Sequence, residues 1–154
     1  MATINFYHTT GDTPAALDAI LPPLLEKVLG SKQQALIICP TESRSHRLDE
    51  TLWTFTDTSF LPHATHDTKH AAEQPILLTH AEVELPAHAV HRLPVVLAGA
   101  ESALDSVTSS EKILYLFTAA PADVTRARPL FKSLKAAGHT VTYWQQTATG
   151  WSKK

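Results

Sequence analysis

The sequence is poor in cysteine and glycine, and both shortages limit what the protein can be. Of its 154 residues, one is cysteine and five are glycine. A single cysteine, Cys39, excludes a disulfide within the chain and a zinc site built on several cysteines. Cys39 also lies inside an apolar run, where we expect it to pack rather than react. This cysteine usage is typical of a protein that works in a reducing cytoplasm.

Glycine-rich phosphate loops are missing from the sequence. Neither G-x-G-x-x-G nor G-x-x-x-x-G-K-[ST] occurs, and residues 9–12, after the first predicted strand, read Thr-Thr-Gly-Asp. Since such loops let backbone N–H groups approach a phosphate closely, we expect no bound nucleotide and no other cofactor. The G-x-S-x-G elbow of serine hydrolases is missing as well.

Long apolar runs are also missing. No run approaches the ~18 residues that span a bilayer, and the first five residues, Met-Ala-Thr-Ile-Asn, do not resemble the start of an export signal. We therefore expect a soluble, cytoplasmic protein without a membrane partner.

The charge of the chain is unevenly distributed. The 13 basic and 15 acidic residues give a net charge of −2, which does not indicate a protein that binds nucleic acid directly. Residues 121–154 hold six bases and one acid, a net charge of +5, which leaves seven bases and 14 acids, a net charge of −7, in residues 1–120. Such asymmetry favours a partner of one sign for one face of the molecule.

Strands and helices are predicted to alternate along the chain. The predicted strands are 3–8, 35–39, 76–78, 94–98, 113–117 and 140–144, and the predicted helices are 15–29, 41–53 and about 127–137. Pro22 and Pro23 should break or kink the first helix, and Pro129 should kink or restart the last one. Residues 64–75 and 99–111 are expected to be mainly loop. This order predicts one α/β domain over residues 1–154, a three-layer α/β/α sandwich with a mostly parallel sheet.

Three histidines are spaced closely enough to raise the question of a metal site. His63, His66 and His70 form an H-x2-H-x3-H pattern, and Asp67 could add an oxygen ligand. A metal-dependent hydrolase is therefore the alternative function. Against it, Pro62 and the polar residues that follow indicate a loop, and no H-E-x-x-H motif is present. We expect no metal.

The last predicted helix separates apolar from basic residues. Its apolar positions are Ala127, Leu130, Leu134 and Ala137. Arg128, Lys132 and Lys135 lie within about 60° of each other on the opposite face, with Phe131 on the flank between the two faces. An aromatic ring beside three cations suits an acidic ligand with an apolar group. A solvated face that complements the helix dipole explains the same charges, and the pattern leaves both interpretations open.

A second segment carries more apolar surface than a helix end and a turn normally need. Residues 47–55 read R-L-D-E-T-L-W-T-F and residues 59–63 read S-F-L-P-H. Leu48 and Leu52 are four residues apart and suit the core, whereas Trp53, Phe60 and the adjoining apolar residues suit either a protein interface or the edge of the sheet.

These blocks carry a resemblance that covers essentially the whole chain. The sequence resembles the chi subunit of bacterial DNA polymerase III, an accessory subunit of the clamp loader. The resemblance rests on R-L-D-E-T-L-W at 47–53 and S-F-L-P-H at 59–63, with F-Y-H at 6–8 and L-K-A-A-G-H at 134–139 leading to Tyr143 and Trp144.

The resemblance implies a non-enzymatic replication adaptor with a Rossmann-like sheet that lacks a nucleotide-binding loop. One surface would bind the acidic, phenylalanine-ended C-terminal tail of single-stranded-DNA-binding protein, and another would bind the psi subunit or a repair helicase. The tail site would comprise Phe117, Arg128, Phe131, Lys132 and Lys135. The second surface would comprise Trp53, Phe60, Leu61 and Pro62.

Overall fold

A computed structural model describes most of the chain. It covers residues 2–54, 63–66, 71–85, 89, 91–108 and 110–153, without the side chains of Trp53, Thr54 and Ala72. The strands are β1 (Thr3–His8), β2 (Ala35–Cys39), β3 (His63–Thr65), β4 (Ile76–His80), β5 (Leu93–Leu97), β6 (Lys112–Phe117), β7 (Thr140–Thr147) and β8 (Gly150–Lys153). The helices are α1 (Pro14–Gly30), α2 (Glu42–Thr54), α3 (Leu104–Val107) and α4 (Pro121–Ala136), with 3₁₀ turns at Ala71–Glu73 and Glu101–Ala103.

The strands form one mixed sheet in the order β3-β4-β2-β5-β6-β1-β7-β8. All neighbouring pairs are parallel except β7 and β8, which form an antiparallel hairpin at the edge. The prediction of a mostly parallel α/β sheet is therefore confirmed. β2, β4 and β5 are buried at every residue, as expected for central strands covered on both faces.

Helices cover both faces of the sheet. The first connections lead from the middle of the sheet towards one edge, and the later connections lead towards the other edge. α1 and α2 carry the chain from β1 to β2 and on to β3, and their buried leucines pack on one face with Ile37 and Val95. α3 and α4 follow β5 and β6 in the opposite direction and pack on the other face with Phe6 and Tyr115. Since parallel crossovers are right-handed, reversing the direction changes the face that a helix covers. The three-layer sandwich is confirmed.

β2 and β5 are neighbours in the sheet, and the connections that follow them lead in opposite directions. Open α/β sheets usually bind ligands at such a point. Here the loops that follow these strands pack tightly against each other. Gly99 has a φ of +99°, and a Cβ at this position would lie 2.9 Å from the Cβ of Pro40. A substitution at Gly99 would therefore strain the backbone and clash with the neighbouring loop.

Pro22 and Pro23 were predicted to break or kink the first helix, and they do not break it. α1 continues through both prolines to Gly30, although each lacks the N–H that would bond four residues back. Leu17, Leu21 and Leu25 are buried along the face that α1 presents to the sheet. The burial of this face offsets the lost hydrogen bonds, since packing supplies most of the stability of helices in proteins.

The last helix begins six residues earlier than predicted and runs through Pro129 without a break. Pro121 occupies its first turn, where proline is favoured. The Asp123 carboxylate accepts hydrogen bonds from the backbone N–H of Thr118 (3.0 Å) and from its hydroxyl (2.6 Å), which anchors the start of the helix. Thr125, whose carbonyl loses its partner at Pro129, is exposed to water.

Two short strands were not predicted. β3 begins at His63, so the expectation of a loop directly after Pro62 is wrong, and β8 follows a turn at the end of the chain. β3 is three residues long, which is too short for an alternating pattern to be recognised. Among the described residues, no helix is both long enough and apolar enough to cross a membrane.

Candidate functional site

A cavity of about 460 Å³ lies between α4 and the carboxyl ends of β1 and β6. His8 and Phe117, the last residues of these strands, line it together with Tyr143 of β7. The residues that α4 contributes are Val124, Ala127, Arg128, Phe131 and Lys132. The cavity therefore brings together four of the five residues of the proposed tail site, all except Lys135.

The walls of the cavity are aromatic because three neighbouring strands place rings in register. Phe6 pairs with Tyr143 across β1 and β7, and His8 pairs with Phe117 across β1 and β6. The His8 and Phe117 rings stack with their centroids 4.6 Å apart. Phe131 meets Phe6 edge-on at 5.4 Å, so helix and sheet share one layer of rings. These edge-on and stacked contacts are geometries that aromatic pairs favour, so the rings line the cavity as one packed cluster.

Cations lie along the α4 side of the cavity. Arg128 and Lys132 are exposed on α4 and line it, and the Lys135 ammonium lies 5.4 Å from the centroid of the Phe131 ring. Within the described part of the chain, none of these three cations forms an ion pair with a carboxylate of the protein. Their charge is therefore available to an acidic ligand.

The apolar face predicted for α4 is confirmed in its centre. Ala127 and Leu134 are buried and Leu130 is half-buried against the core, so the helix packs by these positions. Ala137 is exposed and follows the helix end at Ala136, so its assignment to the packed face is wrong. The residue lies in the turn between α4 and β7.

Two residues on the sheet side of the cavity, His8 and Tyr143, were not predicted as part of the site. The His8 Nδ1 and the Tyr143 hydroxyl share a hydrogen bond of 2.5 Å. Burial raises the pKa of Tyr143, and the nearby Arg128 guanidinium counteracts this by lowering it. A signal was present, since Phe6 and His8 alternate along β1 and so point to one face. It could not be used without the order of the strands, which brings β1 between β6 and β7.

Comparison with protein families decides which group the chain belongs to. Residues 1–142 match the family described as DNA polymerase III chi subunit, HolC. The chain belongs to the DNA polymerase III chi subunit family. No curated protein matches the sequence. Membership confirms the resemblance and gives the chain a role in DNA replication as a polymerase III subunit. The match ends at residue 142, one residue before Tyr143.

The second surface predicted for this chi-family chain falls mostly outside the described residues. Phe60, Leu61 and Pro62 lie outside them, as does the side chain of Trp53, whose backbone belongs to the last turn of α2. Leu48 and Leu52 on the same helix are buried, as predicted. The second surface therefore stays a prediction.

The three histidines of the alternative site do not act as one group in the part of the chi chain that is described. The His63 Nε2 lies 3.2 Å from both the carbonyl oxygen and the Oδ1 atom of Asp49. The His66 ring instead contacts the His80 ring, with centroids 5.3 Å apart, and His70 lies outside the described residues. No three described His, Cys, Asp or Glu residues are grouped to hold a metal ion.

The cysteine of the chi chain is part of the core. Cys39 is fully buried at the end of β2. Burial raises the pKa of its thiol to about 12; the Arg44 charge opposes this and the Asp18 charge adds to it. Arg44 and Asp18 form an ion pair of 2.6 Å beside it. A thiol with so high a pKa holds little thiolate at neutral pH and reacts slowly.

Proposed function

We propose that this chain is a non-enzymatic replication adaptor that holds the acidic, phenylalanine-ended tail of single-stranded-DNA-binding protein between α4 and the sheet. Through its second surface it joins that tail to the clamp loader or to a repair helicase. The observation that carries the proposal is the aromatic cavity bordered by cations of α4 that form no ion pair among the described residues.

The walls of the cavity suit an aromatic side chain. A volume of about 460 Å³ lies within the range of small-ligand sites. A phenyl ring placed there would contact Phe117 and Phe131 and would leave water without losing any hydrogen bond of its own. Such an anchor slows dissociation, because it must be solvated again before the complex separates.

The rim suits the charges of an acidic peptide. Arg128 and Lys132 border the cavity, so peptide carboxylates next to the bound phenyl ring would lie close to these two cations. An arginine can bind a carboxylate through two parallel N–H donors, whereas a lysine contributes a compact charge. Exposed cations also speed association with an anionic partner, and salt weakens this effect.

The proposal does not include direct binding of DNA by this chain. The basic residues of the tail site follow one helix and border a single cavity, whereas a duplex or strand of DNA needs a cationic track that extends along its backbone. Contact with DNA would therefore be made by single-stranded-DNA-binding protein, with the chi-family chain bound to its tail.

A fluorescent peptide that copies the tail tests the first surface. We expect saturable binding by fluorescence anisotropy, weakened by added salt. Lys132→Ala should mainly slow association, because it removes a steering charge. Equal binding to the wild type and to a variant with alanine at Phe131, Lys132 and Lys135 would show that α4 is only a solvated face.

The second surface requires a separate test with a protein partner. Phe60→Ala should abolish co-purification of a psi-like subunit or helicase while the tail peptide still binds, since an interface aromatic can contribute ~2 kcal/mol or more. The matched control is Phe131→Ala, which should do the reverse. If Phe60→Ala unfolds the protein, as judged by its thermal transition, Phe60 belongs to the core and the second surface is misplaced.

A further inference from the structure

Ala127 is the smallest of the side chains by which α4 packs on the sheet. It is 3% exposed and belongs to the core, and it also lines the cavity of the proposed tail site. The other packed positions of the helix carry larger groups: Val124, Leu130, Phe131 and Leu134. At residue 127 the helix therefore contributes a single methyl group, and the cavity takes up space beside it that a larger side chain would fill.

Leucine would suit α4 at residue 127 nearly as well as alanine does. The residue lies in the middle of the helix, and the helix propensities of alanine and leucine differ little. Protein interiors are packed with few voids larger than a water molecule. A space of about 460 Å³ beside a buried methyl group departs from that packing, and a ligand with an apolar group would remove the departure.

The aromatic walls of the cavity are rings that pack on one another. The ring centroids of Phe117 and Tyr143 lie 6.0 Å apart, and those of Phe131 and Tyr143 lie 6.3 Å apart. Moving one ring would disturb its neighbours, and packed interiors resist such shifts. Atoms added to Ala127 would therefore take their space from the cavity, so the depth of the cavity depends on this residue.

We propose that Ala127 is a specificity-determining residue of the tail site, because its single methyl group leaves the depth that a terminal phenyl ring needs. The inference rests on the proposed function, since it takes the phenylalanine-ended tail as the ligand. A larger residue at position 127 would exclude the ring by steric overlap. The cations of α4 would still hold an acidic peptide that ends in a smaller residue, since overlap acts against one ligand and leaves the shared charges unchanged.

The expected effect is a change in preference between peptides. In an apolar pocket one methylene group changes discrimination about 10- to 200-fold. Valine and leucine both add more than one carbon at residue 127, so either should weaken a phenylalanine-ended peptide at least tenfold. A peptide with the same acidic residues and a terminal alanine should be almost unaffected, because its methyl group does not need the depth that is lost.

The test measures the affinities of three N-acetylated peptides that copy the tail and end in phenylalanine, leucine or alanine. The wild type should bind them in that order, from the tightest to the weakest. Ala127→Val and Ala127→Leu should bind the phenylalanine-ended peptide at least tenfold more weakly than the wild type, and the alanine-ended peptide within twofold of it. The loss for the leucine-ended peptide should be intermediate. Ala122→Leu, which adds the same atoms at an exposed position of α4, should retain the affinities of the wild type.

Stability separates this role from a packing role. Filling an empty apolar space commonly stabilises a protein, so the denaturation midpoints of both Ala127 variants should equal or exceed that of the wild type. If Ala127→Leu alone is destabilised by overpacking, the smaller Ala127→Val decides. Lower midpoints in both variants would show that residue 127 is already fully packed, and would overturn the inference.

The peptide series has its own contrary outcomes. An unchanged affinity of both Ala127 variants for the phenylalanine-ended peptide, or an equal loss for all three peptides, would overturn the role of Ala127 while leaving tail binding intact. Equal affinities of the wild type for the three peptides would overturn it as well. If the wild type bound none of the peptides, the proposed function would fail, and this inference with it.

Discussion

Arg126 and Arg128 lie two residues apart on α4, but they differ in whether carboxylates of the described residues neutralise their charge. The Arg126 Nε lies 2.7 Å from Glu101, and its Nη2 lies 2.6 Å from Asp123, so the chain neutralises it. Arg128 lines the cavity and has no ion pair within the described residues. A count of charges along the helix treats the two alike. What distinguishes a binding cation from a structural one is whether its own chain already supplies the counter-charge.

The largest effect is expected at the aromatic wall beside Arg128. Phe131→Ala should weaken tail-peptide binding about 30-fold, or ~2 kcal/mol, because it removes the ring that the terminal phenyl group would contact. Dissociation should become faster while association changes little. Stopped-flow fluorescence gives both rates, and Phe131→Leu, which retains apolar bulk, should lose less.

Folding must be checked in the same variants, since Phe131 also packs on Phe6. The buried Cys39 provides the control: slow labelling by a thiol reagent, as in the wild type, shows that the sheet is intact. Loss of binding with rapid labelling would assign Phe131 to stability rather than to recognition.

The pair of arginines provides the next test. Arg128→Ala should weaken the peptide about tenfold and flatten the salt dependence of binding, since it removes an unpaired cation at the cavity. Arg126→Ala, matched in chemistry and helix, should leave affinity within twofold, because its charge is already balanced. Titrations at low and high salt check both variants. Equal losses would mean that the net charge of the helix, rather than the position of each cation, governs binding.

The fold was predictable where local pattern and tertiary structure agree. The buried strands have continuous apolar runs, such as Ala-Leu-Ile-Ile-Cys at β2, and these were found with errors of at most a few residues. Helix breaks were expected at the prolines because the rules for proline consider the local chain and ignore tertiary packing. α1 and α4 both continue through proline. The buried face of α1 accounts for the continuity of that helix. The brevity of β3 made it undetectable.

The candidate site was predictable only on its helical side. Arg128, Phe131 and Lys132 are close in sequence, so helical periodicity brings them together before any fold is known. His8 and Tyr143 are 135 residues apart and meet because β1 lies between β6 and β7. Periodicity within one segment carries no information about which strands become neighbours, so the sheet side of the cavity required the structure or the family resemblance.

Asp123, which pairs with Arg126, is expected to affect the stability of the protein without affecting peptide binding. Asp123→Ala should lower the free energy of unfolding by about 1 kcal/mol, because the carboxylate anchors the start of α4 on Thr118 and also pairs with Arg126. Denaturant titration measures this loss. Asp123→Asn retains an acceptor for the Thr118 donors and should lose less. Tail-peptide affinity should be unchanged in both.

The smallest effect on peptide binding is expected at Lys135. A variant at this position tests whether the peptide contacts Lys135 directly or is only attracted by its charge. Lys135 does not line the cavity, but its ammonium lies 5.4 Å from the Phe131 ring centroid, a cation–π distance. At an exposed site this contact contributes about 0.5–1 kcal/mol, and the charge adds a weak, salt-screened attraction for an acidic ligand. Lys135→Ala should therefore weaken the peptide about two- to threefold in low salt and almost not at all in high salt. Lys135→Arg, which keeps the charge and the contact with the ring, should restore binding. A loss as large as that of Arg128→Ala, persisting in high salt, would show that the peptide extends beyond the cavity and contacts Lys135 directly.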